Sequence, residues 1–376
     1  RCKWYMSIDV ADSAKHKSSV SPSSSSSSSP PDTGHDCDKF RQTDSQIKAM
    51  TDLQCPTMQT SVHMTLYEHG IIDHPYKEFN ELKYEWIMHH DWIFYTILDT
   101  ASLLNIVLSS NVEEQELLMI FDGLDTVADV YFEDELILSA RNMFTRYRVD
   151  VMKVLRKFAH RTSLTISIKF KSPIRYAKQQ MEKSPYTIPC PQYTQAFATP
   201  GRNYIRKCGS DFGWDWGPCF APIGISGPIT LVTFPNILLL DFLVHQDLKF
   251  ESESERGGEP KEEMTPSSSS KCTSVKLNIK CLFYAHDSFV LRIGRLKYDV
   301  YAPGTIPDID KPMISGSQAV TFSQKGEHLL DFEITIKNPE LWWPNGMGAQ
   351  NLYTIVVHVD PLTGKTPTLT TQYELR

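Results

Sequence analysis

Residues 164–170 read LTISIKF, with an apolar side chain at every second position and a polar side chain between. The same alternation returns at residues 275–281 (VKLNIKC), 330–336 (LDFEITI) and 353–359 (YTIVVHV). A period of two indicates a β-strand with one face buried and the other in water. Only residues 44–55, which a proline follows, carry a helical signal. Many short strands separated by turn residues predict an all-β chain built from β-sandwiches rather than an α/β barrel.

The strand pattern divides into two parts. We predict a larger sandwich over residues 1–235 and a smaller sandwich over residues 236–360, each long enough for a core of its own. Two polar tracts interrupt them. The first, at residues 18–31, contains a run of seven serines, and the second is a polar hairpin loop at residues 251–271. Neither tract has the apolar residues that a packed core requires.

Composition and charge narrow the functional classes. The 376 residues are 41% hydrophobic and 22% charged, which is ordinary for a globular protein. A net charge of −7 gives no electrostatic reason to expect nucleic acid or an anionic membrane as a partner. The eight cysteines include no Cys-x-x-Cys pair, and the histidines between positions 63 and 90 match no ligand spacing. We therefore predict no metal ion and no cofactor.

The most unusual segment is FGWDWGP at residues 212–218. Trp214 and Trp216 supply flat apolar faces on either side of Asp215, whose carboxylate accepts hydrogen bonds. Sugars bind to this combination, because their C–H faces stack on aromatic rings while their hydroxyls donate to carboxylates. The residues alone leave another interpretation open, in which both tryptophans belong to the core and Asp215 caps a turn.

This segment and a series of others, in order along the chain, resemble the β-mannosidases of glycoside hydrolase family 2. The blocks lie at residues 63–66, 70–73, 75–76, 80–81, 86–87, 91–92, 122–126, 142–146, 206–207, 212–218, 224–225, 228–229 and 338–346. Together they extend over nearly all of the chain outside the two serine-rich tracts. The chain departs from the family pattern at Thr60-Ser61, Glu133-Asp134 and Ser226, which affects the expected specificity more than the expected fold.

The resemblance implies an architecture. A jelly-roll-like, galactose-binding-type β-sandwich would be followed by an immunoglobulin-like β-sandwich. Lys3-Trp4 resembles the family's first strand, so residues 12 to about 50 would be an insertion in the first sandwich. Residues 361–376 would begin a connection to a catalytic (β/α)₈ barrel that the chain lacks. In the family the barrel carries both catalytic glutamates, so the resemblance implies that this chain contains no catalytic residue and is inactive alone. The Asn80-Glu81 dipeptide copies the family's acid/base dipeptide, and we interpret it as a coincidence because it lies in the first sandwich.

The resemblance also implies a function. Trp214, Asp215 and Trp216 would line the pocket for the non-reducing mannose of a mannose-containing oligosaccharide, and the partner would be the C-terminal barrel of the same polypeptide. The reaction would be hydrolysis of terminal β-linked mannose with retention of configuration, in a lysosomal or secreted protein. Two alternatives stay open: a stand-alone carbohydrate-binding protein without catalysis, and a structural pair of sandwiches without a ligand. We expect Trp342 and Trp343 to be core aromatic side chains where the second sandwich meets its neighbour, and to pack rather than to bind a ligand.

Overall fold

The computed structural model describes residues 3–9, 48–108, 116–189, 201–214, 216–234, 237–250, 272–286, 293–307, 309–361 and 369–375. These residues form two compact units, the first reaching Thr233 and the second beginning at Phe234. Most of the predicted insertion at residues 12–50 and the whole predicted loop at residues 251–271 lie outside the described ranges.

The first unit is built from short strands in three sheets. The strands are β1 (Trp4–Ile8), β2 (Leu53–Gln54), β3 (Thr60–Ser61), β4 (Trp92–Asp99), β5 (Glu116–Phe121), β6 (Leu124–Asp125), β7 (Ala128–Phe132), β8 (Glu135–Ala140), β9 (Tyr147–Asp150), β10 (Ser163–Phe170), β11 (Gly224–Ile225) and β12 (Ile229–Phe234). The sheet orders are β2-β1-β4-β10-β7-β8, β3-β11-β6 and β12-β5-β9.

The largest sheet is centred on β4 and β10, whose alternating side chains form the core. In their antiparallel register Phe170 lies opposite Trp92, and Ile168 lies opposite Phe94. All four side chains are fully buried, and the rings of Phe94 and Phe170 meet edge to face with centroids 5.5 Å apart. The alternation that defines β10 in the sequence thus places every second side chain in the core.

The second unit contains seven strands among its described residues. They are β13 (Ile237–Phe250), β14 (Cys272–Ala285), β15 (Ile293–Tyr301), β16 (Ile314–Thr321), β17 (Gly326–Lys337), β18 (Tyr353–Pro361) and β19 (Leu369–Leu375). They form two antiparallel sheets, β13-β14-β17 and β16-β15-β18-β19. Tyr298 and Phe332 stack across the two sheets at 4.9 Å between ring centroids, which is the face-to-face packing of a sandwich.

The sandwich architecture predicted from the sequence is confirmed, and so are the four strands predicted from alternation, which are β10, β14, β17 and β18. The helical prediction at residues 44–55 is wrong at its end, because Leu53–Gln54 pairs with β1 as β2. Five α-helices that the sequence analysis missed lie in the first unit: α1 (Val62–Glu68), α2 (Asn80–Lys83), α3 (Thr100–Leu108), α4 (Met152–Phe158) and α5 (Pro173–Lys183). No helix of the described part is long and apolar enough to cross a membrane.

Candidate functional site

The segment FGWDWGP lies in an irregular loop of the first unit, with Trp214 and Trp216 at its tip. A 3₁₀ helix, Gly209–Phe212, leads into the loop, and the chain then reaches β11. The backbone N–H of Trp214 donates to the carbonyl of Gly217 at 3.0 Å, and the N–H of Gly217 donates back to the carbonyl of Trp214 at 3.3 Å. These two bonds close a tight turn. Asp215, the third predicted site residue, lies outside the described residues.

Both tryptophans of the turn are exposed to solvent. Trp214 is 57% exposed and Trp216 is 86% exposed. The interpretation of these two residues as core side chains is therefore wrong. Exposed indole rings on a closed turn have their faces available for contact with another molecule.

The base of the loop, in contrast, is buried. Phe212, Cys219 and Ala221 are all buried, and they form one apolar cluster with Ala177 of α5 and Ile205. The backbone N–H of Ala221 also donates to the carbonyl of Asp211 at 2.8 Å, which joins the two stems of the loop. The loop therefore combines an exposed tip with an apolar anchor.

A buried group of charges lies at the same base. The side chain of Lys207 has no exposed area, and its Nζ donates to both carboxylate oxygens of Asp125 on β6, each at 2.6 Å. The same Nζ lies 2.7 Å from Oδ2 of Asp211 and donates to the carbonyl of Pro222 at 2.8 Å. Burial raises the pKa of Asp125, and the ammonium of Lys207 acts against that shift. We call Lys207, Asp125 and Asp211 the buried ion cluster.

His63 on α1 lies close to this cluster. Its side chain is buried, and its Nδ1 has no hydrogen-bond partner among the residues that the structure describes. Its ring meets Phe220 edge to face at 5.5 Å between centroids. Burial lowers the pKa of His63 to about 4, and the positive charge of Lys207 adds to the effect. The imidazole is therefore neutral at all but strongly acidic pH.

Aromatic side chains extend from the loop along the surface of the first unit. The ring of Phe220 contacts that of Tyr76 at 5.2 Å, and His74 lies 5.9 Å from Tyr76 and 5.4 Å from Tyr67. Tyr76 is 75% exposed. Tyr76 was not among the site residues predicted from the sequence. Its position in the block at residues 75–76, which resembles the family, is the sequence signal that could have indicated it.

Asn80, Trp342 and Trp343 were also singled out from the sequence, and the structure shows how exposed each of them is. Asn80 is buried, and its side-chain amide donates to the carbonyl of His74, so this residue stabilises a turn. Trp342 and Trp343, which we expect to pack where the second sandwich meets its neighbour, are 44% and 42% exposed in this chain. No group of His, Cys, Asp and Glu that could hold a metal ion occurs within the described ranges.

Two family profiles match the chain, one for each β-sandwich. The family profile described as "Glycosyl hydrolase 2 galactose-binding domain-like" matches residues 39–227, half of the chain. The profile described as "Glycosyl hydrolases family 2" matches residues 263–372. The chain is thus a pair of glycosidase-type β-sandwiches, the first galactose-binding-like and the second immunoglobulin-like. It belongs to glycoside hydrolase family 2, as the sequence blocks indicate.

Several relatives carry the same enzyme name. Beta-mannosidase of Mus musculus is 34% identical over 190 residues, which cover 50% of this chain and 20% of that protein. The probable beta-mannosidase of Caenorhabditis elegans is 26% identical over 311 residues, 80% of this chain and 30% of the relative. A crystal structure of Beta-D-Mannosidase from Dictyoglomus thermophilum shares the fold with a TM-score of 0.61 at 23% identity, covering 84% of this chain and 33% of that one. The chain thus spans a fifth to a third of the length of these relatives.

Proposed function

We propose that this chain is the N-terminal, substrate-binding part of a β-mannosidase that releases terminal non-reducing β-D-mannose from glycans. The observation that carries the proposal is the exposure of Trp214 and Trp216 on a turn whose base is buried. Indole faces at this position can stack on the C–H face of a sugar, and the carboxylate of Asp215 between them can accept hydrogen bonds from its hydroxyls. The names of the relatives support mannose as the sugar.

The chemical step in this proposal belongs to a domain beyond the present chain. A retaining glycosidase needs two carboxyl groups about 5–5.5 Å apart, one as nucleophile and one as acid/base. We assign both to glutamates of a following (β/α)₈ barrel, and none to this chain. Without that barrel the 376-residue chain should not hydrolyse glycosides. The short coverage of the relatives supports this division, because it leaves most of their length for another domain.

An exposed apolar surface on the second unit supports the idea of a neighbouring domain. Trp342, Trp343 and Met347 are all exposed, yet a backbone bond from Trp343 N–H to the Ala349 carbonyl at 2.9 Å holds their segment in place. Large exposed apolar patches mark interaction sites.

The path of the last strand brings the end of the described chain to that surface. Leu375 at the end of β19 pairs with Tyr353 on β18, and the Tyr353 hydroxyl accepts a hydrogen bond from the N–H of Glu340 at 2.8 Å. A continuing polypeptide would therefore leave the second unit close to the segment that carries Trp342. We place the barrel against this surface.

A lysosomal or secreted location is part of the same proposal. It rests on the family resemblance and on the relatives that carry the name beta-mannosidase.

The test begins with the native transcript. We expect the reading frame to continue past the codon for Arg376 into a barrel domain, and we expect the extended protein to hydrolyse 4-nitrophenyl β-D-mannoside while the 376-residue chain does not. In the extended protein Asp215→Ala should lower kcat/KM by about 10²-fold, since it removes a group that orients the sugar. Asp134→Ala, at an exposed turn between β7 and β8, should leave it unchanged.

Two results would contradict this proposal. One is an extended protein that cleaves β-galactosides or β-glucuronides in preference to β-mannosides, and the other is a stop codon directly after Arg376. A stop codon would favour the stand-alone carbohydrate-binding protein. That alternative predicts that methyl β-D-mannoside, but not methyl α-D-glucoside, changes the tryptophan fluorescence of the chain.

A further inference from the structure

We propose that Lys207 is the positioning residue of the tryptophan loop: its single ammonium group fixes both stems of the loop to strand β6. The inference rests on the proposed function in one respect, since it gives the loop a substrate to be positioned for. Lys207 itself is fully buried and therefore acts on the exposed tryptophans through the backbone of the loop.

The contacts of the ammonium group come from three separate segments. Asp211 stands on the stem that enters the loop, and Pro222 stands on the stem that leaves it; their oxygens lie 2.7 Å and 2.8 Å from Nζ. Asp125 contributes both carboxylate oxygens at 2.6 Å from β6. Because β6 pairs with β11 in the sheet, with Asp125 opposite Gly224, the third segment is a fixed part of the fold.

Apolar packing alone would not give the loop a defined geometry. Phe212, Cys219 and Ala221 anchor its base, but apolar contacts have no preferred direction. The backbone bond from the N–H of Ala221 to the carbonyl of Asp211 joins the two stems to each other. The charge-assisted hydrogen bonds of Lys207, which are short and directional, fix both stems to β6.

The buried charges themselves point to a role other than stability. A buried ion pair is often no more stabilising than apolar side chains of similar volume would be. Lys207 is the fully buried member of the ion cluster at the base of the loop. The cluster is therefore explained better by the geometry that it imposes on the loop than by a gain in stability. This loop carries the exposed Trp214 and Trp216.

Hydrogen–deuterium exchange on the 376-residue chain tests this inference without any sugar. In Lys207→Met we expect the amides of residues 212–221 to exchange at least about 10-fold faster than in the parent chain, because the stems separate more often. Asp211→Asn retains the bonds from Lys207 to Asp125, and should accelerate the same amides by a smaller factor. This second variant keeps the test open if Lys207→Met does not fold.

Two controls separate positioning from general loss of stability. Lys157→Met removes another lysine–carboxylate contact of 2.6 Å, that with Glu135, at an exposed site on α4. Ile168→Val weakens the core of β10 away from the loop. Neither should accelerate residues 212–221 beyond the change seen in the strands. Because Lys207→Met is also expected to destabilise the whole first unit, Asp211→Asn is the decisive variant. Acceleration of its loop amides no greater than that of its strand amides, as in Ile168→Val, would overturn the inference.

The outcome is independent of the proposed function. Failure of the extended protein to act on a β-mannoside would count against the substrate and would leave the exchange result intact. Acceleration confined to the loop in Asp211→Asn, together with activity of the extended protein, would support both. Unchanged exchange in the loop would reject the positioning role even for an active β-mannosidase.

Discussion

Replacement of Lys207 by methionine is expected to lower the free energy of unfolding of the first unit by about 3–5 kcal/mol. The change removes the cation from the buried ion cluster and leaves the carboxylates of Asp125 and Asp211 without it. The carboxylate of Asp125 is then buried without its cation, which carries a large unfavourable free energy, whereas Asp211 keeps some contact with water. Urea denaturation, followed by circular dichroism and by tryptophan fluorescence, measures the loss.

A double-mutant cycle assigns this loss to the cluster. Asp125→Asn alone should also be strongly destabilising, whereas the double variant with Lys207→Met should lose less than the sum of the two by about 1–3 kcal/mol, because the two groups interact directly. Lys157→Met, at an exposed ion pair, should change stability by less than about 1 kcal/mol. Additive effects of the two cluster variants would show that Lys207 and Asp125 do not stabilise one another.

Acidification is expected to destabilise the first unit through His63. The pKa of this residue is lowered from 6.5 to about 4 by burial in the folded chain, so between these values the unfolded chain binds the proton and the folded chain does not. The contribution of His63 to the free energy of unfolding is fully present above pH 6.5 and decreases as the pH falls towards 4. Below pH 4 this residue causes no further loss. The full loss is about 3 kcal/mol, from about 1.4 kcal/mol for each pH unit of difference.

The measurement is the free energy of unfolding of parent and variant across this pH range. His63→Gln cannot take up a proton, so the difference between the parent chain and His63→Gln should shrink or reverse as the pH is lowered. His160→Gln, at an exposed histidine that follows α4, serves as the matched control and should run parallel to the parent. A parallel curve for His63→Gln would show that the imidazole is not buried in neutral form.

The strands could be predicted from the sequence because their signal is local. In β10 and β14 each polar residue faces away from the core, so the alternation of side chains directly records the buried face. The helices were harder to predict because they are short and their apolar stripes are incomplete. The start of α5 nevertheless carries a recognisable sequence signal. Ser172 accepts a hydrogen bond from the N–H of Arg175 at 3.2 Å, and Pro173 occupies the first turn of the helix.

The candidate site was predictable in its residue types and not in its environment. The Trp-Asp-Trp segment is recognisable from its residue types. The exposure of Trp214 and Trp216, however, depends on how the base of the loop packs, which the sequence does not reveal. No periodic pattern in the sequence predicts the buried ion cluster, since Lys207 and Asp125 lie 82 positions apart. Lys207 and Asp125 both belong to the resemblance blocks, yet only the three-dimensional structure brings them together.

The division of the loop into a buried base and an exposed tip has an evolutionary consequence. Side chains such as Trp216, at 86% exposure, bury little area, so replacing them changes the stability of the domain only slightly. Under the proposed function, mutations at the tip therefore affect fitness mainly through sugar binding, whereas mutations of Phe212 or Lys207 affect it first through folding. A lineage of this family could acquire a new sugar preference at the turn while inheriting the support beneath it unchanged.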